Sequence, residues 1–291
     1  MKIAKPSLLL AALPFAVLPV ATTLSLQNTP PQHAKSGGVD ATEDLRKLAE
    51  TYGVQIIWDG GTQEEEHDWG WRSWRDAAAW EIQAYAPILI EELSLYPVSL
   101  IRAGQVDRII LCRDLWVEAE DVAQHVSGTL DFGTRTLFLS VAYTYKVNNR
   151  PKQRRVIHHA LFHQLDYVMG TSSEDPAWEG LNPGGFQYGD YGLGGQHDRT
   201  SESGLLSEEF PGFLNRYSTG TMADDKADIF AYLMVLHHYM EARGREDPVI
   251  RAKMEEMKRR LEDLDAGMDA GVWARIGNIR RDVTPYITPS P

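Results

Sequence analysis

The chain has 291 residues, a formal net charge of −12 and a pI near 5.2, and 43% of its residues are hydrophobic. This composition is typical of a globular protein with a sizeable core. The negative charge argues against a nucleic-acid-binding protein, because that class needs a basic face to displace counterions. The single cysteine, Cys112, excludes internal disulfides, and its apolar neighbours predict a buried strand position rather than a reactive thiol.

The N-terminal segment, residues 1–26, is typical of an export signal. Lys2 and Lys5 give it a positive start, and an almost wholly apolar run, Leu8–Val20, follows. Small residues after that run offer a cleavage site. We therefore predict that the protein is exported, to the periplasm or outside the cell. A membrane contact is expected only if an uncleaved signal serves as an anchor.

Beyond the signal, the chain is predicted to form one domain. Residues 27–40 are polar and rich in Pro and Gly, which is typical of a linker. No second apolar run of membrane-spanning length follows, so the sequence predicts that the remainder is not an integral membrane protein. We expect residues 41–291 to be a single domain with a helical extension at its C-terminal end.

Helix and strand signals alternate in the first half of this domain. Apolar residues at helical spacing predict a helix that ends near Tyr52, and Val54–Trp58 is predicted to be a short strand. Asp59–Trp71 is predicted to be a loop with an acidic run. A helix is then expected over Trp74–Leu95, and a strand over Val106–Cys112.

The second half is predicted to be a hairpin followed by helices. The hairpin is expected over Ser127–Val141, and a helix over residues 152–170. A long loop rich in Gly and aromatic residues, Asn182–Gly195, precedes helices at Asp224–Met240 and Pro248–Leu264. This order predicts an α+β fold with a small mixed or antiparallel sheet. The edge of that sheet is expected to pack against the helix over residues 152–170.

His159 and His163 stand four residues apart in the predicted helix, so both imidazoles project from one face. This is the geometry with which a helix offers two nitrogen ligands to zinc, although such a pair also arises by chance. Asp224 and Asp228 have the same spacing on a later helix. One of these carboxylates could bind the metal while the other accepts a hydrogen bond from a ligand imidazole.

The segment His158–Phe230 resembles the gluzincin-type zinc metallopeptidases, in particular bacterial zinc-binding peptidases with a His-His-Glu-x-Phe-His motif. It is more distantly similar to the catalytic domain of anthrax lethal factor. In that pattern a Tyr lies seven residues before the third metal ligand, and a second acidic residue lies four residues after it. Tyr217 and Asp228 keep this phasing around Asp224. The loop Asn182–Gly189 also matches.

The resemblance implies a zincin-like fold with an active-site helix and C-terminal helices. It implies that zinc is held by His159, His163 and Asp224, with a water at the fourth position. Asp224 stands where the family usually has Glu, which shortens the ligand arm by one methylene. The resemblance further implies that Tyr217 donates a hydrogen bond to the oxyanion of the tetrahedral intermediate.

Two further acidic residues match the family pattern as supports of the ligands. Asp228 would accept a hydrogen bond from a ligand imidazole. Asp166 lies three residues after His163 on the same helix face, beyond the site of the water. We therefore predict that Asp166 supports the metal ligands rather than acting as a base.

The resemblance fails at Ala160, where the family has its catalytic Glu. That Glu takes a proton from the metal-bound water and gives it to the leaving amine. Such acid–base catalysis contributes roughly 10²–10⁴-fold, so its loss should slow hydrolysis by about that factor. An engineered inactivating substitution and natural loss of the base would leave the same sequence.

The sequence leaves two main functions open. The first is an exported zinc-dependent metallopeptidase-like protein that acts on peptides or proteins, with activity strongly reduced by Ala160. The alternative is a zinc-binding pseudopeptidase that binds a peptide by strand addition along the Thr129–Leu139 edge. A purely structural zinc site, or a metal-free domain, is a third interpretation.

Overall fold

A computed structural model of the chain describes residues 41–61, 63–67, 70–119, 122–142, 149–189 and 204–288. The predicted signal (1–26) and linker (27–40) lie outside the described residues. Within them, no helix combines the length and apolar character that crossing a membrane requires.

A mixed sheet with many helices forms the fold, and its strand order is β2-β3-β4-β7-β6, with β1 and β5 also paired to β4. The seven strands of the described chain are β1 Gln55–Ile57, β2 Gln63–His67, β3 Gly70–Asp76, β4 Arg108–Ala119, β5 Val122–His125, β6 Gly128–Asp131 and β7 Thr136–Ser140.

β4 is the central strand of the sheet. Its first half runs parallel to β1 on one side and to β7 on the other, and its second half is antiparallel to β3 and β5. β6 and β7 form the predicted hairpin, with Gly128 opposite Leu139 and Asp131 opposite Thr136. β6 is therefore an edge of the sheet, whereas β7 is interior.

The described residues contain ten α-helices: α1 Ala41–Tyr52, α2 Ala79–Leu93, α3 Val98–Ala103, α4 Arg150–Val168, α5 Pro176–Glu179, α6 Met222–Val235, α7 His237–Glu246, α8 Pro248–Leu264, α9 Ala270–Gly277 and α10 Thr284–Ile287. The predicted helix over Pro248–Leu264 is confirmed, and Asp247 caps its first turn by accepting from the Val249 and Ile250 amides.

Two predictions for the segment 59–95 are wrong. The expected loop contains the β2–β3 hairpin, and Trp74 lies in β3 rather than in the helix, which begins at Ala79. The acidic β2 has no apolar alternation, and the inward position of β3 at Arg72 is a charged residue that is fully buried. Both features hide the two-residue period by which a strand is recognised.

The helix expected over Asp224–Met240 is two helices, because Leu236 leaves the helical region with φ −133° and ψ 46°. The apolar spacing continues across the break, so the sequence carries no signal for it.

The core lies in two layers on opposite faces of the sheet. The larger layer joins Ile109 and Leu137 to the helices, with α4 packed on β6 and β7. The smaller layer, on the opposite face, comprises Trp74, Cys112, Leu115, Val117, Val126 and Phe138. Cys112 is buried there, as the sequence predicted.

Candidate metal centre

Helix α4 carries the two histidines through the middle of the protein. Pro151 lies in its first turn, and Gly170 takes φ +73° just beyond its end, the left-handed conformation that commonly ends a helix. Between these ends nearly every side chain from Gln153 to Asp166 is buried. α4 is therefore a core helix, and its polar residues need partners inside the protein.

His159 and His163 meet Asp224 of α6, as the resemblance implied. One potential ligand atom from each of the three residues lies within 4.8 Å of the other two. Asp224 Oδ1 is 3.5 Å from His159 Nε2 and 3.9 Å from His163 Nε2. Neither Nε2 atom has a hydrogen-bond partner among the described residues, although both are buried. Two unpartnered lone pairs that converge on a carboxylate oxygen fit a bound cation.

The local fold at the start of α6 orients the Asp224 carboxylate. Thr221 caps the helix by accepting from the Asp224 amide at 3.0 Å, and its hydroxyl donates to Asp224 Oδ2 at 2.8 Å. Tyr217 donates from the preceding 3₁₀ turn to Oδ1 at 2.8 Å. Both carboxylate oxygens are thus fixed, with Oδ1 facing the imidazoles.

Asp228 has the supporting position that the sequence predicted. His159 Nδ1 donates to Asp228 Oδ1 at 2.8 Å, which leaves the Nε2 lone pair facing Asp224. Arg155 and Asn215 also donate to the Asp228 carboxylate. Burial alone would raise the pKa of Asp228, but the charge of Arg155 and the bond from His159 outweigh it and lower the pKa to about 2. Asp228 is therefore a permanent anion behind His159.

The two histidines differ in how they hold a proton. Burial, with the nearby charges of His159 and Lys226, holds the pKa of His163 well below its usual value, so this imidazole is neutral. Burial acts in the same direction on His159, but the nearby carboxylates of Asp224 and Asp228 prevail and raise its pKa. A cation at the centre would therefore displace a proton from His159.

Ala160 is buried beneath the edge of the sheet. A Cβ placed on Gly128 of β6 would lie 3.5 Å from the Ala160 Cβ and 2.9 Å from Val156 Cγ1. α4 and β6 therefore pack closely enough that only glycine fits at residue 128. A longer side chain at residue 160 would have to displace this strand or extend along the interface.

Asp166 does not support a ligand in the predicted way. Its carboxylate accepts from Lys226 Nζ at 2.8 Å and from Thr171 Oγ1 at 2.6 Å, and no bond to either ligand imidazole is present within the described structure. Lys226, fully buried two residues after Asp224, also bonds the Thr171 carbonyl and Asp175. The Asp166 carboxylate is therefore used to pair with Lys226 rather than to hold a ligand imidazole.

Three residues that hold the centre together were not predicted from the sequence: Arg155, Asn215 and Thr221. A signal existed only for Thr221, because Thr three residues before an acidic residue at a helix start is a capping pattern. Arg155 lies 73 residues and Asn215 13 residues before Asp228, and no local pattern marks contacts over such separations.

The ligand residues are shielded from solvent. The His159, His163 and Asp224 side chains are 1%, 7% and 1% exposed, and Tyr217 is equally buried. Burial and the neighbouring Asp224 raise the pKa of Tyr217 well above its usual value, so its hydroxyl keeps its proton and acts as a donor. His163 is the ligand nearest to solvent.

Comparisons with known proteins add little to this geometry. No protein-family model matches the chain, and no curated protein matches it. The crystal structure of a putative zinc-binding metallo-peptidase from Bacteroides caccae is similar, with a TM-score of 0.48 and 16% sequence identity. The similarity covers 86% of this chain and 97% of that one, and at this level it assigns no function to the present protein.

Proposed function

We propose that the protein binds one zinc ion through His159, His163 and Asp224. The observation that carries this proposal is the pair of buried, unpartnered Nε2 atoms that face a single carboxylate oxygen. Two nitrogens and one oxygen are a donor set that zinc accepts, whereas Mg²⁺ and Ca²⁺ favour oxygen ligands throughout.

We further propose that the protein is an exported, gluzincin-type metallopeptidase-like protein with strongly reduced activity on peptides or proteins. The signal-like sequence pattern of residues 1–26 and the phasing of Tyr217 and Asp228 around Asp224 support this proposal. A bound zinc would polarise a carbonyl and acidify a water. Tyr217 could donate to an oxyanion once its hydroxyl leaves Asp224 Oδ1.

The general base is the missing part of this chemistry. Ala160 has no proton acceptor, and Asp166, the one acidic residue of α4, is held by Lys226. The carboxylates nearest the imidazoles, Asp224 and Asp228, are engaged as a ligand and as the acceptor of the His159 proton. These contacts support slow hydrolysis rather than an alternative base.

A zinc-binding pseudopeptidase that binds peptides remains the second candidate, and the absence of a base at Ala160 favours it. Within the predicted edge, strand addition could use β6 but not β7, since β7 is hydrogen-bonded on both sides. Of the edge predicted over Thr129–Leu139, this leaves Thr129–Asp131. The burial of all three ligands agrees equally with a structural zinc site.

The first test is the metal content of the purified protein, measured by elemental mass spectrometry. We expect about one zinc per chain in the wild type and in His238→Ala, which removes an exposed histidine. His163→Ala should lose the zinc. If the wild type takes up no zinc even when it is offered in excess, the proposed centre is wrong.

The second test separates the functions by incubating the zinc-loaded protein with a mixed peptide library. Slow hydrolysis that stops on chelation supports the peptidase-like protein. Retention of peptides without cleavage supports the binding module. Neither cleavage nor retention, together with a lower melting temperature after chelation, supports a structural site.

A further inference from the structure

A cavity lies on the sheet face away from α4, lined in part by the β2–β3 hairpin. Its volume is about 200 Å³, and it belongs to no part of the metal centre. Side chains alternate along β4, so Ile109 points into the core beneath α4 while Arg108 and Ile110 face the cavity. The cavity is lined by residues of β1, β2, β3, β4 and β7 and of the turns beside them.

The cavity floor consists of two rows of side chains with different chemistry. Residues paired between neighbouring strands share a face of the sheet. The first row places Arg108 beside Thr136, and the second places Ile110 between Ile57 and Phe138. One end of the floor is therefore cationic and polar, and the adjoining part is apolar.

Two tryptophans add flat apolar walls to this floor. Trp74 of β3 is buried and packs edge-to-face on Phe138, with ring centroids 4.8 Å apart. Trp58, just after β1, is half-buried, and the guanidinium of Arg46 lies 5.9 Å from its ring centroid. Flat aromatic walls beside an apolar floor suit a planar apolar ligand.

Arg108 is the charged group without a partner in this cavity. Its side chain is half-buried, and no hydrogen bond or ion pair joins its guanidinium to another residue that the structure describes. Most other arginines near the sheet are paired; Arg72 binds Glu65, and Arg135 binds Asp107 at 2.6 Å. A half-buried guanidinium gains most from a carboxylate, which it can bind with two parallel hydrogen bonds.

Two acidic side chains limit how much negative charge the cavity accepts. Glu65 is paired with Arg72 at 2.7 Å, and Asp76 accepts from the Gly61 amide at 2.8 Å. Both carboxylates line the hairpin side of the cavity. They would repel a second anionic group, so a ligand with one negative charge fits better than a nucleotide or a polyphosphate.

We propose that this cavity binds a small monocarboxylate with a flat aromatic body. The carboxylate binds Arg108, and the ring lies over Ile110 between Trp58 and Trp74. This inference does not depend on the proposed zinc centre, because the two sites lie on opposite faces of the sheet.

The test is calorimetric titration of the purified full chain with phenylacetate, and with phenylacetamide as a neutral ligand of the same shape. We expect saturable binding of one phenylacetate per chain, weakened about tenfold or more in phenylacetamide and in Arg108→Gln. Arg102→Gln is the matched control, because Arg102 is exposed on α3 and should leave binding unchanged.

Two results would overturn the proposal: no saturable binding of phenylacetate, or equal binding of the acid and the amide. The amide comparison holds even if Arg108→Gln fails to fold. Because a carboxylate can also bind zinc, the titration is repeated on His163→Ala. Binding that survives Arg108→Gln but is lost in His163→Ala would place the acid at the metal centre and reject the cavity. A second acid, N-acetylglycylphenylalanine, shows whether a free acid or a peptide terminus binds more tightly.

Discussion

Helix α6 separates two buried charged clusters that have similar composition but different electrostatic balance. On one side, Asp224 faces two histidines whose Nε2 atoms have no partner in the described structure. On the other, the cations Lys226 and Arg260 are paired with the anions Asp166 and Asp175. The residues of both clusters are almost fully buried. The second cluster balances its charges within the chain, whereas the first leaves two lone pairs for a cation. Burial alone therefore does not mark a binding site; incomplete pairing does.

The largest expected effect comes from breaking the cluster that is already balanced. Lys226→Met should destabilise the protein by roughly 3–5 kcal/mol, because it leaves Asp166 as a buried charge without its cation. Urea unfolding of the zinc-loaded protein measures this. Lys258→Met is the control, since its pair with Glu241 is partly exposed and should cost less than about 1 kcal/mol.

If the two clusters are independent, the folded Lys226→Met variant should keep its zinc. If it loses zinc as completely as His163→Ala, the two clusters are one unit.

Ala160→Glu tests what the metal cluster lacks. Zinc-dependent peptide hydrolysis should rise about 100-fold, since a general base is restored beside the water. Without zinc, the melting temperature should fall, because a carboxylate is buried where Gly128 and Ala160 now pack. Ala160→Gln provides the control of similar size without a base. Equal hydrolysis by both variants would show that the missing carboxylate is not the limiting feature.

Asp228→Asn should weaken zinc binding by about 10–100-fold, because His159 loses the charged acceptor that orients it. Affinity is measured by competition with a chromophoric chelator. The neighbouring Asp225→Asn makes the same chemical change in the pair with Lys253 and should lower stability without altering affinity. Equal effects of the two variants on zinc affinity would contradict a specific role for Asp228 in orienting His159.

The smallest effect concerns pH. The pKa of His159 is raised, so its proton competes with zinc up to a higher pH than an ordinary histidine allows. Zinc affinity should therefore fall by up to about tenfold per pH unit as pH decreases below that pKa. The lowered pKa of His163 adds no competition there. Affinity that stays constant across the neutral range would contradict a proton on His159.

In the metal-free protein, His159 affects folding stability in the opposite direction: its contribution falls, rather than rises, with increasing pH. Because the pKa of His159 is higher in the folded than in the unfolded state, its contribution to stability is present at low pH and is lost as pH rises through the folded value. The lowered pKa of Asp228 acts in reverse, stabilising the fold above the ordinary Asp value and losing that contribution toward pH 2.

The sequence by itself determined the features that depend on local spacing. The helix that carries His159 and His163, the β6–β7 hairpin and the Pro248–Leu264 helix follow from periodicity and from turn or capping residues. The pairing of Asp224 with the histidines could be predicted only because the resemblance linked two distant segments.

Only the tertiary structure decided which partner each buried polar group has. Asp166 binds Lys226 across 60 residues of sequence, and Arg155 reaches Asp228 across 73. The packing of Ala160 on Gly128 and the position of Arg108 at the cavity likewise depend on contacts between distant segments. Sequence spacing fixes which face of a helix or strand a side chain lies on. The residues that pack against that face depend on how the whole domain buries its apolar surface and pairs its buried charges.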